Sequence, residues 1–280
     1  AFFQQARRKL RSYKTIRATI EENVVIGGRS LKVNGSYVQG SGTQADGLKL
    51  RLEFRISLGA EEKGALQGEL EQVSDGEFLW TRHTIGKKTR VSRRNIRQIL
   101  NAAKARGNTP PDILVAQLGL GGLPALLASI ERNMIFQSIT EEDLSGKTLT
   151  VISATWSQEY LERSLKLSKE AISKRLPDYI PESMQIYFEK GNLFPRRILY
   201  LKKHPTRDIS LPMVDLQFRE IELNQQVDDQ VFVFKAPRGV LPNDLTKVYL
   251  DLFEQLSQPG TPASTPQPSG QTGNKKISEK

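Results

Sequence analysis

Side chains that commonly carry chemistry are scarce in this chain. It has 280 residues, no cysteine and only two histidines, His83 and His204. Composition therefore excludes a thiolate zinc site, a cysteine nucleophile, a disulfide framework and a lipidated cysteine. Two histidines argue against a multi-histidine metal site. Paired carboxylates can serve as acid and base, and two groups stand out, Glu141-Glu142-Asp143 and Asp228-Asp229. The first lies in a polar stretch ahead of Gly146 and reads as a loop; the second falls between two expected strands. His83 has no G-x-S-x-G elbow to serve. The run "GLGGLP" at 119–124 lacks both the spacing of a dinucleotide fingerprint and a preceding parallel strand. No catalytic residue, metal or cofactor is assigned, and a non-enzymatic role is expected.

Charge points outward to partners. The net charge is +10, an excess that favours anionic partners. From Phe78 to Pro111 there is no acidic residue, while Arg90, Arg93, Arg94 and Arg97 stand close together; Arg7, Arg8, Lys9 and Arg11 repeat the pattern near the start. Such runs read either as a solvated face or as a docking surface for anionic lipid head groups, worth about 1 kcal/mol per basic residue near a charged membrane. Lys87 to Arg106 contains no aromatic residue, so no nucleic acid is expected.

The elements that must carry these residues are mostly strands. In "LKLRLEFRISL", Leu48, Leu50, Leu52, Phe54, Ile56 and Leu58 alternate with polar residues, which predicts a strand with one apolar face. Alternation also marks "TIRATIEENVVI", "RSLKVNGSYVQ", two strands joined at Asp75-Gly76, "NMIFQSI", "KTLTVISATW", "SMQIYFEK", "PRRILYLKK", "ISLPMVDLQFREIEL" and "QVFVFKAP". Short connections make the first ninety or so residues an antiparallel meander. Helical spacing appears at Phe2, Phe3, Ala6, Leu10 and Tyr13, at Ile96, Ile99, Leu100 and Ala103, and in "SQEYLERSLKLSKEAISKRLP". A last helix follows an N-capping Asn243 or Asp244. The stretch from 113 to 130 is apolar but broken by Gly119, Gly121, Gly122 and Pro124, which argues for two short helices.

The reading is an α+β fold in which about ten or eleven antiparallel strands curl into an unclosed β-barrel, with helices covering its mouth. Its interior is either packed solid or partly hollow, and a hollow apolar interior would be a lipid site. The expected cavity wall is Leu50, Leu52, Phe54, Ile56, Trp80, Phe136, Ile186, Phe188, Leu216 and Phe218. The expected lid is Leu118, Leu120, Leu123, Leu126 and Leu127.

Three short motifs support the hollow alternative. "SDGEFLW" with Asp75, Gly76, Leu79 and Trp80, then "NTPPDILVAQL" with Asn108, Thr109 and Pro110, then "VFVFKAPRGVLPND" with Phe232, Phe234, Pro237, Gly239 and Val240 stand in order along the chain. In these the chain resembles the LolA-like periplasmic lipoprotein carriers and the wider lipoprotein-sorting superfamily. The resemblance implies an unclosed barrel whose hollow takes the acyl chain of a lipoprotein or lipid and carries it across the periplasm. The competing reading is a structural or interaction module of the envelope that fills the same barrel and binds no ligand.

Residues 1–256 are expected to form one such domain, with an N-terminal helix at 1–14, a helical lid insert at 93–130 and a helical insert at 157–177. Residues 257–280, rich in Pro, Ser and Gly, are expected to be disordered. No apolar run approaches the ~20 residues that span a bilayer. A monomer is expected in the periplasm or elsewhere in an exported envelope compartment, its signal peptide removed.

Overall fold

The computed structural model describes residues 2–40, 48–58, 66–106, 122–144 and 146–256. Helix α1 (Phe2–Ser12) leads into β1 (Thr15–Ile26), which turns at Gly27-Gly28 into β2 (Arg29–Gly40). Both glycines have positive φ, +57° and +75°, as a two-residue hairpin turn with the right twist requires. Strands β3 (Lys49–Leu58), β4 (Leu66–Asp75), β5 (Phe78–Ile85) and β6 (Lys88–Asn95) complete a meander. At its Asp75-Gly76 turn, Asp75 Oδ1 accepts from the amides of Glu77 and Phe78, both at 2.8 Å.

After two helices, α2 (Ile96–Arg106) and α3 (Gly122–Asn133), a second meander runs through β7 (Met134–Leu144), β8 (Lys147–Trp156), β9 (Ser183–Glu189), β10 (Pro195–Lys203) and β11 (Ser210–Leu223). The two meanders join because β11 pairs antiparallel with β1. With the two-residue β12 (Asn243–Asp244), which is parallel to β6, one sheet results in the order β12-β6-β5-β4-β3-β2-β1-β11-β10-β9-β8-β7. It is curled and not closed, with β7 and β12 as its edges. The chain must pass from β6 near one edge to β7 at the other, and the connecting stretch carries α2 and α3.

One face of the sheet, the inner face, packs against α1 and α3. The period-two pattern of β1 puts Ile16, Ala18 and Ile20 there, and β8, β9 and β10 add Ile152, Ala154, Met184, Ile186, Phe188 and Ile198. Helix α1 buries Phe3, Ala6 and Leu10 at helical spacing against them, and α3 buries Leu123, Leu127 and Ile130. Arg7 Nη1 reaches Glu131 Oε2 at 2.6 Å and ties the two helices together. Phe3 stacks on Phe136 with centroids 4.5 Å apart and meets Phe188 edge-on at 5.7 Å.

The outer face carries an apolar cluster of Leu149, Val151, Tyr187 and Leu199 together with organised polar groups. Arg197 makes a bidentate pair with Asp215, both bonds 2.8 Å, and lies over the Tyr187 ring. Burial works to raise the Asp215 pKa, but hydrogen bonds from Arg197 and Gln217 and the nearby positive charge outweigh it and hold the group below its ordinary value.

Three expectations differ from the fold. "QVFVFKAP" does not form a strand. Both sides of β11 are taken by β1 and β10, so this segment lies outside the sheet, as a 3-10 turn at Asp229–Phe232 followed by extended chain. The single helical insert is two six-residue helices, α4 (Gln158–Arg163) and α5 (Lys169–Lys174), because Ser157 and Ser168 each cap a new start. Glu141, Glu142 and Asp143 lie within β7 and not in a loop. The final helix, α6 (Thr246–Leu256), starts beside Asp244, whose Oδ1 accepts from the Thr246 amide at 2.9 Å.

Candidate functional site

A cavity of about 380 Å³ lies between α3 and the inner face of β1, β2, β3, β4 and β11. Its volume falls within the ordinary range of small-molecule pockets, about 300–1,000 Å³. The alternation of β3 places Leu50, Leu52 and Phe54 side by side on its wall. Antiparallel register then brings in the rest. Ile20 stands opposite Phe218, Glu22 opposite Leu216, and Leu52 is flanked by Tyr37 and Gln72. The roof is the start of α3, with Gly122, Leu123, Ala125, Leu126 and Ser129.

Tyr37 holds the roof at its N-terminal end. Its hydroxyl accepts from the Leu123 amide at 3.0 Å and donates to Gln39 Oε1 at 2.6 Å. Burial pushes the phenol well above its ordinary range, so it stays neutral and keeps both bonds at any physiological pH. Gly122 must be glycine here. It has φ +54°, and an added Cβ would press into the Tyr37 hydroxyl and sit 3.0 Å from Gln39 Oε1. Gly122→Ala is expected to lower stability by about 1–3 kcal/mol and to speed amide exchange at Leu123, both readable by urea unfolding and hydrogen exchange.

The structure brings together Leu50, Leu52, Phe54, Leu216 and Phe218 from the expected wall, and Leu123 and Leu126 from the expected lid. Ile56 follows Phe54 on the same face, opposite Val33, but lies outside the lining. Ile186 and Phe188 are fully buried and covered by α1, with Phe2 and Phe3 packed edge-on against the Phe188 ring. Phe136 stacks on Phe3, so α1 occupies that end of the barrel. Leu127 is fully buried in the core cluster and is not part of the lining. Leu118 and Leu120 lie outside the described residues.

Trp80 is on the wrong face for a cavity wall. It pairs with Val73, which pairs with Arg51, so all three point outward. Its ring stacks on Phe234 at 5.1 Å and 8°. Its neighbour Leu79 points inward and packs under α2 with Ile96, Ile99 and Leu100.

The four arginines do not share a surface. Arg90 and Arg97 are exposed, but Arg93 pairs with Asp244 at 2.9 Å and lies over the Phe78 and Trp80 rings. Arg94 donates to the Tyr249 hydroxyl at 2.8 Å. The carboxylates weighed for chemistry also have structural employment. Asp228 caps the 3-10 turn, Asp229 pairs with Lys49 at 2.8 Å, and Glu141 pairs with Lys190 at 2.7 Å.

Sequence reasoning missed Ile20, Glu22, Tyr37, Gln72 and Ser129. Glu22 left a signal: in the inward series Ile16, Ala18, Ile20, Glu22, Val24 it is the one charge. A second concavity of about 550 Å³ lies beside α4 and α5, floored by Trp156, Leu161, Ile172 and Leu176 and rimmed by Lys174, Arg175, Lys203 and His204. It is more open than the first. Among the described residues no three His, Cys, Asp or Glu side chains cluster as a metal site would need, and no helix is long and apolar enough to cross a membrane.

No family model and no curated protein matches the chain. Solved structures similar to it include LprF from Mycobacterium bovis, at 10% identity and TM-score 0.36, covering 81% of this chain and 93% of that one. MucB in complex with MucA(peri) is similar at 10% identity and TM-score 0.34, covering 85% and 58%. A putative outer membrane lipoprotein-sorting protein domain from Vibrio parahaemolyticus is similar at 8% identity and TM-score 0.30, covering 82% and 94%.

Proposed function

We propose that this protein binds one apolar chain, the acyl chain of a lipoprotein or lipid, in the cavity under α3, and does so without catalysis as an exported envelope carrier. The observation that carries the reading is a hollow of about 380 Å³ walled by Leu50, Leu52, Phe54, Leu216 and Phe218 beside a tightly filled core. Each methylene moved from water into it contributes ~0.8 kcal/mol, so a modest length of chain supplies useful affinity. The envelope setting is what the sequence resemblance implies.

Native mass spectrometry of protein purified from its own host, then titration of the stripped protein with a fluorescent long-chain alcohol, tests the reading. Bound lipid and saturable uptake are expected, and Leu52→Trp, which fills the cavity, should weaken uptake at least about tenfold, or about 1.4 kcal/mol. A bare mass with no uptake would overturn it.

One observation favours the filled-barrel alternative. The half of the inner face under α1 is packed, with Phe188, Phe194 and Ile186 fully buried. A ligand-free scaffold predicts that Leu52→Trp changes no binding, because none exists.

A further inference from the structure

The lining of the cavity carries a single charged side chain among the described residues, and it is acidic. Glu22 lies on the inner face of β1, between Val33 of β2 and Leu216 of β11. No lysine or arginine is among the described lining residues. The other polar groups there are uncharged, and the Tyr37 hydroxyl is already committed to Gln39 and Leu123. Facing Glu22 from β10 is Tyr200, whose phenol is pushed up to about 12 by burial first, then by Tyr160 and Glu22 itself, and so stays neutral.

Other shielded carboxylates of this sheet have cations of their own. Glu71 sits between Arg51 and Arg82, Asp215 takes Arg197, and Glu189 takes Arg196 at 2.5 Å. Among the described residues Glu22 has none: burial pushes its carboxyl above the ordinary value, and neither an ion pair nor a hydrogen bond from them offsets that. Glu22 is half-buried; a partly desolvated acceptor without a donor carries part of that desolvation cost, and a ligand that brings the donor relieves it.

We propose that Glu22 reads the polar end of the ligand, selecting apolar chains that end in a hydrogen-bond donor (hydroxyl, amide or ammonium) and rejecting those that end in a carboxylate or phosphate. This rests on the apolar-chain reading above. It names the class of head group, which cavity volume and apolar lining leave open. Two negative charges brought close in a partly desolvated site repel by an amount that salt screens little.

The test is calorimetric titration of the stripped full chain, at neutral pH, with decanol, decylamine and decanoic acid. Decanol and decylamine are expected to bind, with decanoate at least about tenfold weaker. In Glu22→Gln, decanoate should gain about tenfold and decylamine should lose affinity, the gain for decanoate itself reporting an intact cavity. Equal affinity of the wild type for decanoate and decanol would overturn the proposal, as would a Glu22→Gln variant that keeps the wild-type ranking. If none of the three binds the wild type, the apolar-chain reading itself falls and takes this one with it.

Discussion

Glu71→Ala is expected to destabilise the protein by about 3 kcal/mol, the lower end of what removing one partner of a buried ion pair costs. Glu71 is an outer-face residue of β4, only 6% exposed. Its Oε1 accepts from Arg51 Nη2 at 2.5 Å, and its Oε2 pairs with Arg82 Nε at 3.0 Å. Arg51 also reaches Glu53 at 2.6 Å and the Val231 carbonyl at 3.1 Å. One carboxylate thus joins β3, β4 and β5 and helps seat the segment that crosses the outer face. Alanine would take the shared carboxylate from both guanidinium groups and leave Arg51 with only the half-exposed Glu53. The figure stays at the lower end because Arg51 and Arg82 keep 25% and 34% exposure, so solvent screens part of the loss. Urea unfolding measures it, with Glu53→Ala, at a half-exposed carboxylate, expected below about 1 kcal/mol. Equal effects at the two positions would refute the account.

Gly35→Ala is expected to cost about as much, roughly 3 kcal/mol, the upper end for overpacking. Gly35 lies mid-strand in β2, opposite Ile20 of β1 and Phe54 of β3. A Cβ there would collide with the Glu53 carbonyl oxygen and come within 2.6 Å of Phe54 Cδ1. A backbone oxygen in the ladder cannot swing aside as a side-chain tip can. The bare backbone lets the Phe54 ring lie across β2, and glycines at such points let a sheet bend. The variant should also lose ligand uptake, because Phe54 is a cavity wall. Gly68→Ala is the control. Its Cβ would meet nothing nearer than 3.5 Å, and its melting temperature should barely move.

Much of the fold was readable from residue order. Strict alternation in Leu48 to Leu58, and alternation of Ile16, Ala18 and Ile20 with polar residues, marked strands and their inward sides, because side chains on a strand change face at every step. Gly27-Gly28 and Asp75-Gly76 marked turns that admit only antiparallel neighbours. The inward sets Leu50, Leu52, Phe54 and Leu216, Phe218 follow from that local rule, and the structure gathers them around one hollow.

Other features depend on partners distant in the chain. "QVFVFKAP" alternates as a strand does, but both sides of β11, the strand before it, are taken by β1 and β10, and Phe234 stacks on Trp80 across the outer face instead. Trp80 belongs to the expected cavity wall, but its parity with Arg51 across two ladders sets it outside. Ile186 and Phe188 point inward as alternation demands; whether they meet a ligand or another element was decided by α1, which covers them.

Periodicity along a strand is a property of neighbouring residues, and it told from the letters alone which side of each strand is apolar. What occupies the space beyond that side depends on segments far along the chain, such as Leu123 over Tyr37. Helix α1 fills one end of the trough, α3 roofs the other, and a carboxylate, Glu22, is left between them with no counterion among the described residues. No local pattern encodes that arrangement, because it exists only once β1 and β11 have paired and the sheet has curled.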